Sequence, residues 1–238
     1  ETLGLVGESG CGKTTTGVAL LGMPSPPGRI VSGSSVIDGT EIVGLSDHEL
    51  RKCVRWSKIS MVFQGAMNCL TPVYTIRDLM VETYREHQPE RALDDARHGV
   101  NMVKLEALMA KYLRLVGLTE GVLGAYPHEL SGGMKQRVVI AMALFLEPKV
   151  IVMDEPTTAL DVIVQAQILN LIKELRRELG LSYIFITHDL ATEAEIADRI
   201  MVMYAGKMAE LGSNEEIFGA ADGRRGPLHP YTQKLLAS

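Results

Sequence analysis

The sequence predicts an α/β protein with a mainly parallel sheet and helices packed outside it. Three observations carry that expectation. Thr2-Leu3-Gly4-Leu5-Val6 is a short apolar run that enters the glycine-rich stretch Gly7 to Thr14, and a helix-like segment follows to Met23, giving strand, loop and helix in order. Short β-branched apolar runs then alternate with longer stretches at helical spacing, the pattern of parallel strands with helical crossovers. At 238 residues, 46% of them hydrophobic, and a mean hydropathy of +0.11, the chain is long and apolar enough to bury a full core.

The opening loop, Gly7-Glu8-Ser9-Gly10-Cys11-Gly12-Lys13-Thr14, fits the phosphate-binding pattern G-x-x-x-x-G-K-[ST]. Its glycines permit turns closed to residues with a Cβ, so backbone N–H groups can point inward at a phosphate at the positive end of the following helix. The pattern assigns the β- and γ-phosphates to Lys13 and Mg²⁺ to the Thr14 hydroxyl; Thr15, the next residue, is counted with them as nucleotide-binding.

After this helix, Pro24, Pro26, Pro27 and Gly28 break the structure. Ser35-Val36-Ile37 followed by Asp38-Gly39 signals a hairpin. Ser46 to Glu49 has capping-box spacing for a short helix through Arg55, and Ile59 to Phe63 reads as a strand ending at Gln64. From Ile76 to about Leu118, Leu79, Tyr84, Met102, Leu105, Leu108, Met109, Tyr112, Leu113 and Val116 recur at helical spacing, with a polar stretch, Glu86 to His98, between them. The methionines there read as core filling. Val150 to Met153 is an apolar strand ending in Asp154-Glu155, and Val164, Ile168, Leu171, Ile172, Leu175 and Leu179 form one helical stripe stopped by Gly180. Ser182 to Thr187 is the next strand, ending at His188, and Asp189 to Ala197 is helical. Ile200 to Tyr204 is a strand, Ala205-Gly206 turns into Lys207 to Leu211, and Ser213 to Glu216 caps what reads as the last helix.

Bulk properties exclude several classes. A formal net charge of −5 argues against a nucleic-acid binder that works by neutralising phosphates. The longest central apolar run, Val138 to Leu146, is too short to span a bilayer, and no secretory signal peptide is visible. Three scattered cysteines, at 11, 53 and 69, read as reduced thiols rather than a disulfide framework or zinc site.

Four further stretches bear on the loop's chemistry. Asp154, at a strand end, can hold Mg²⁺ through its water shell, and Glu155 can polarise a water for attack on a γ-phosphate. Leu130-Ser131-Gly132-Gly133-Met134 opens a helix and offers a hydroxyl and bare N–H groups, a second anion site. Gln64 and His188 each follow an apolar strand, where an α/β sheet binds ligands. Two phosphate-reading surfaces in one chain make sense when the second serves a nucleotide held by a second copy.

Taken in order, the loop, Gln64, Leu130 to Met134, Met153-Asp154-Glu155-Pro156, Ala159-Leu160-Asp161 and Thr187-His188-Asp189 resemble an ABC transporter ATPase subunit over essentially the whole chain. Phe63 to Asn68, Tyr126 to Met134 and His229-Pro230-Tyr231-Thr232 resemble its oligopeptide/dipeptide importer branch, which also contains nickel and oligosaccharide importers. The resemblance implies one ATPase domain: an α/β lobe at 1–64 and 146–212 with a small antiparallel β part, a helical subdomain at 65–145, and a C-terminal extension at 213–238.

It implies ATP and Mg²⁺ as cofactors, with Gln64 sensing Mg²⁺ and the membrane partner. Ser131, Gly132 and Gly133 would contact the γ-phosphate across a dimer with Asp161 nearby. Glu155 would be the catalytic carboxylate and His188 the γ-phosphate switch. It also implies a second ATPase subunit, identical or paralogous, transmembrane permeases, a solute-binding protein, a place at the cytoplasmic face of the membrane, and no nucleic acid. Beginning at Glu1 without Met, the chain reads as a piece of something longer. It lacks the family's preceding strand pair and its adenine-stacking aromatic, so weak base discrimination is expected. Competing readings fit less well. A DNA-maintenance ATPase needs a long coiled-coil insertion after Gln64, a translation-type factor needs two cassettes, and a small-molecule kinase has no use for Ser131 to Met134.

Overall fold

In a computed structural model, residues 1–87, 102–219 and 226–237 are described. Most of the polar stretch Glu86 to His98 lies outside them. A six-stranded sheet forms the centre, with strands β1 (Thr2–Val6), β4 (Ile59–Val62), β5 (Val150–Asp154), β6 (Ser182–Ile186), β7 (Arg199–Tyr204) and β8 (Lys207–Ser213). Their order is β4-β5-β6-β1-β7-β8, all parallel except β8, which runs antiparallel to β7 at the edge. The turn signal Asp38-Gly39 joins β2 (Val36–Ile37) to β3 (Thr40–Glu41) in a separate hairpin, both turn residues having positive φ, as a two-residue hairpin loop demands.

Helices cover both faces. On one side lie α1 (Lys13–Leu20), the hairpin and α2 (Asp47–Cys53), whose Ser46–Glu49 capping box is complete. On the other, α3 (Ile76–His87), α4 (Met102–Leu115), α5 (Gly132–Leu144) and α6 (Val162–Leu179) share the largest core with the sheet. Met80 and Met109 are fully buried in it, and Tyr112 meets Phe145 edge-on at 6.1 Å between centroids. The stripe along α6 is buried as its spacing demands, and Gly180 ends the helix at φ 64°. No helix among the described residues is long and apolar enough to cross a membrane. All three thiols are free.

The C-terminal region departs from expectation. Ser213 does cap a short helix, α8 (Asn214–Phe218), after α7 (Leu190–Ile196), but α8 is not the last. A further helix, α9 (Pro230–Ala237), opens at Pro230, whose fixed φ and missing N–H suit a first helical turn.

Candidate nucleotide site

Parallel pairing builds the site. Leu5 of β1 and Asp154 of β5 both register with Ile186 of β6, and Met153 registers with Val62 of β4. The ends of four strands therefore reach one sheet edge, carrying Gly7, Gln64, Asp154-Glu155 and His188 with them. A cleft of about 320 Å³ opens there, lined by Ser9, Gly10, Gly12, Lys13, Thr14, Thr15, Gln64, Asp154, Glu155 and Ile186.

Within the loop, Gly7 has φ 148°, and a Cβ there would stand 2.3 Å from the Met203 carbonyl oxygen, so only glycine fits. Cys11 is buried behind it. The Lys13 ammonium is nearly buried and donates to the carbonyls of Gly7 (2.7 Å) and Glu8 (3.1 Å), with the Cys11 sulfur at 3.8 Å.

Asp154 is only 2% exposed. Burial pushes its carboxyl up, and the Glu155 charge adds to this; the Thr14 hydroxyl and Lys13 pull the other way without cancelling it. Thr14, Asp154 and the Gln64 amide form an all-oxygen donor set at the cleft floor and rim, which suits a hard divalent cation. Too few carboxylates gather among the described residues for a metal held by protein alone, and Mg²⁺ characteristically takes its remaining ligands from water and phosphate.

Glu155 sits at φ 47°, a strained backbone for a residue with a Cβ, and such strain gathers at functional sites. Its Oε2 accepts from Gln64 Nε2 at 2.8 Å and from Thr158 Oγ1 at 3.0 Å, and its Oε1 lies 3.0 Å from His188 Nδ1. Burial pushes this carboxyl up, but the hydrogen bonds from His188 and Thr158 and the charges of His188 and Lys13 outweigh it and hold the group below the usual glutamate range. Glu155 is thus an ionised acceptor with about four lone-pair directions, three of them occupied. Thr158 was not anticipated; its only sequence signal is its place three residues after Glu155.

Ser131, Gly132, Gly133 and Asp161 are not in this cleft. They line a second one of about 350 Å³ with Met134, Arg137, Ala159, Leu160, Val164 and Gln167, and the two share no residue. Ser131 caps α5, its Oγ accepting the Met134 N–H at 3.3 Å, and Asp161 caps α6, its Oδ1 accepting the Val164 N–H at 3.0 Å. A Cβ on Gly133 would stand 2.8 Å from Val164 Cγ1, so the glycine lets the two capped helix starts meet. Of the remaining predicted residues, Gly7 and Cys11 underlie the loop, and Glu8 turns its main-chain N–H outward to the Tyr231 hydroxyl at 3.2 Å.

A lysine-bearing loop after a central parallel strand, with a buried aspartate at the end of the next strand but one, defines a phosphate-loop nucleoside triphosphatase. Residues 1–158 match the family described as ABC transporter. Over 241 residues the chain is 43% identical to the dipeptide transport ATP-binding protein DppD of Bacillus subtilis, and over 238 residues 44% identical to the oligopeptide transport ATP-binding protein OppF of Escherichia coli. Both matches cover 100% of this chain, which spans 67% and 65% of those proteins. A solved relative is the ATP-binding cassette MJ0796 in a dimeric post-hydrolysis state bound to ADP and Pi, at 29% identity and TM-score 0.68, covering 90% of this chain and 85% of that one. The chain belongs to the ABC transporter family, as one of its ATPase subunits.

Proposed function

We propose that this chain binds and hydrolyses ATP with Mg²⁺ in a two-subunit assembly and so powers peptide import through separate membrane permeases at the cytoplasmic face. The observation that carries the reading is the division of phosphate-reading groups between two clefts of one chain. Lys13, Asp154 and Glu155 line one cleft, with His188 held against Glu155, and the capped start of α5 belongs to the other. A head-to-tail pair of subunits, isologous if the chains are identical, brings each second cleft over a partner's first. The names of the relatives favour peptides as cargo, and a solute-binding protein would deliver them.

In this reading the loop N–H groups and Lys13 hold the phosphates, and Thr14 and Asp154, with Gln64 at the rim, hold the cation. Mg²⁺ supplies charge neutralisation at the β- and γ-phosphates. Glu155 accepts a hydrogen bond from the attacking water through its remaining lone pair, and His188 is placed to turn between Glu155 and the γ-phosphate. Ser131 keeps its O–H free to donate while its oxygen caps α5. Residues 65–145 act as the helical subdomain that passes motion from Gln64 to the permease.

The test is Glu155→Gln. Loss of the ionised acceptor is expected to slow hydrolysis by about 10²–10⁴-fold while ATP still binds, so that an ATP–Mg²⁺ dimer accumulates in light scattering. Hydrolysis at the parent rate would refute the assignment. A variant that stays monomeric at saturating ATP, alone and when mixed with its paralogous partner, would refute the two-subunit site. For cargo, uptake of a labelled dipeptide by cells carrying the complete transporter is expected to stop with Lys13→Ala.

A further inference from the structure

His229-Pro230-Tyr231-Thr232 marks the importer branch most clearly, yet nothing in the chemistry above uses it. Its contacts give it a place. Glu210 of β8 grips the segment from below: its Oε1 accepts the Leu228 N–H at 2.7 Å and its Oε2 the His229 N–H at 3.2 Å. Thr232 is wholly buried, and the Tyr231 N–H closes onto His229 Nδ1 at 3.1 Å. Pro230 starts the helix, so the next residue has a fixed direction. That residue, Tyr231, lays its ring on Tyr204 at the end of β7, with centroids 4.5 Å apart, and its hydroxyl oxygen accepts the Glu8 N–H.

Packing of a terminal helix would explain the ring contact alone. It does not require the hydroxyl to reach the main chain of the phosphate loop, 223 residues away in sequence. The loop is also tied on the same flank where the Gly206 N–H, in the β7–β8 turn, donates to the Cys11 carbonyl at 3.0 Å. Two outward bonds thus anchor a loop whose unpaired N–H groups must stay aimed inward.

We propose that Tyr231 is a positioning residue: seated by Glu210, its hydroxyl fixes the Glu8 end of the phosphate loop, so that the C-terminal segment sets nucleotide affinity. This rests on the reading that the loop binds ATP. Loop order before binding lowers the cost of ordering it on the ligand, so the effect falls on affinity rather than on the chemical step.

The experiment compares the parent, Tyr231→Phe and Glu210→Gln. Tyr231→Phe keeps the ring on Tyr204 and removes only the acceptor. The expected result is a rise in KM for ATP of roughly 2–12-fold, the reach of one hydrogen bond. kcat should stay within about two-fold of the parent, Tm should be unchanged, and hydrogen exchange should speed up in the peptide containing Glu8. Glu210→Gln, which loosens the seat and leaves Tyr231 intact, is expected to give the same KM-against-kcat split. Parent KM and parent exchange at Glu8 in both variants would overturn the proposal. So would a KM rise seen only with a matching fall in Tm, which would mean that the segment merely holds the fold together. A parent protein that does not bind ATP at all would instead refute the functional reading, so the two failures are distinguishable.

Discussion

The two clefts hold their polar groups in opposite ways. In the first, charge answers charge or dipole at every point: the Lys13 ammonium lies on two carbonyls, Asp154 on the Thr14 hydroxyl, and Glu155 among three donors. In the second, Ser131 and Asp161 each turn one oxygen to their own helix, and Arg137 donates inward to the Val116 carbonyl at 2.7 Å rather than into the opening. In the proposed reading the first captures a polyphosphate by itself. The second offers N–H groups and a hydroxyl but no cation aimed at a ligand, so it can read a phosphate only when one is brought to it. Affinity should live in one cleft and assembly in the other.

The largest effect should come from Lys13→Ala. Loss of this charge is expected to weaken ATP binding by about 2–5 kcal/mol, measured by calorimetry. Ser131→Ala should leave binding to the isolated subunit unchanged. The reverse result would break the comparison.

Gly133→Ala comes next. Its Cβ would press on Val164, and overpacking of this kind costs roughly 1–3 kcal/mol in urea unfolding. ATP should still bind, while ATP-dependent dimerisation in light scattering should be lost. Retained dimerisation would show that the meeting of α5 and α6 does not shape the second cleft.

A third test reaches beneath the first cleft. Glu193 of α7 is fully buried against Gly4 of β1, where a Cβ would come within 2.2 Å of its Oε2. Burial pushes this carboxyl well above the usual glutamate range, against the pull of the Thr187 backbone. The folded protein thus keeps a proton that the unfolded chain releases. The stability this gives is complete below the unfolded pKa and drains as pH rises toward the folded one, at about 1.4 kcal/mol per pH unit. Relative to Glu193→Gln, the parent should lose stability with rising pH in urea titrations. Parallel pH profiles would show that the carboxyl is ionised where it lies.

The smallest effect is expected from Asp161→Ala, which removes the cap of α6 and should cost about 1 kcal/mol of stability in urea unfolding. A loss of ATP affinity in the isolated subunit would contradict its place in the second cleft.

Much of this was legible because strand ends are legible. A β-branched run that stops at a polar residue, as Val150 to Met153 does at Asp154, announces both a parallel strand and the edge where ligands bind. Asp38-Gly39 and the Ser46 box act over two to four residues, and the structure keeps both. The sheet order was not legible, because it depends on pairings between distant segments. Nor was the contact of Tyr231 with Glu8, or the burial of Glu193 against Gly4, for which neither residue carries a local signal. The start of α9 was visible in Pro230, but the residue was read as part of a family mark rather than as a helix start.

The position of β1 has a consequence for how the protein is made. Thr2 lies beside Tyr183 and Leu3 beside Arg199, so the strand that carries the phosphate loop is flanked by two strands that come far later in the sequence. During synthesis the loop emerges well before both neighbours and waits for them. At ribosomal speeds of about 5–20 residues per second, that interval is roughly 10–40 s. Through it, the β4–β5 pair and the helices between them can fold while β1 stays unpaired. The capacity to hold a nucleotide would thus come after the β4–β5 pair has formed, and a ribosome stalled before residue 182 would display that pair with no working phosphate loop.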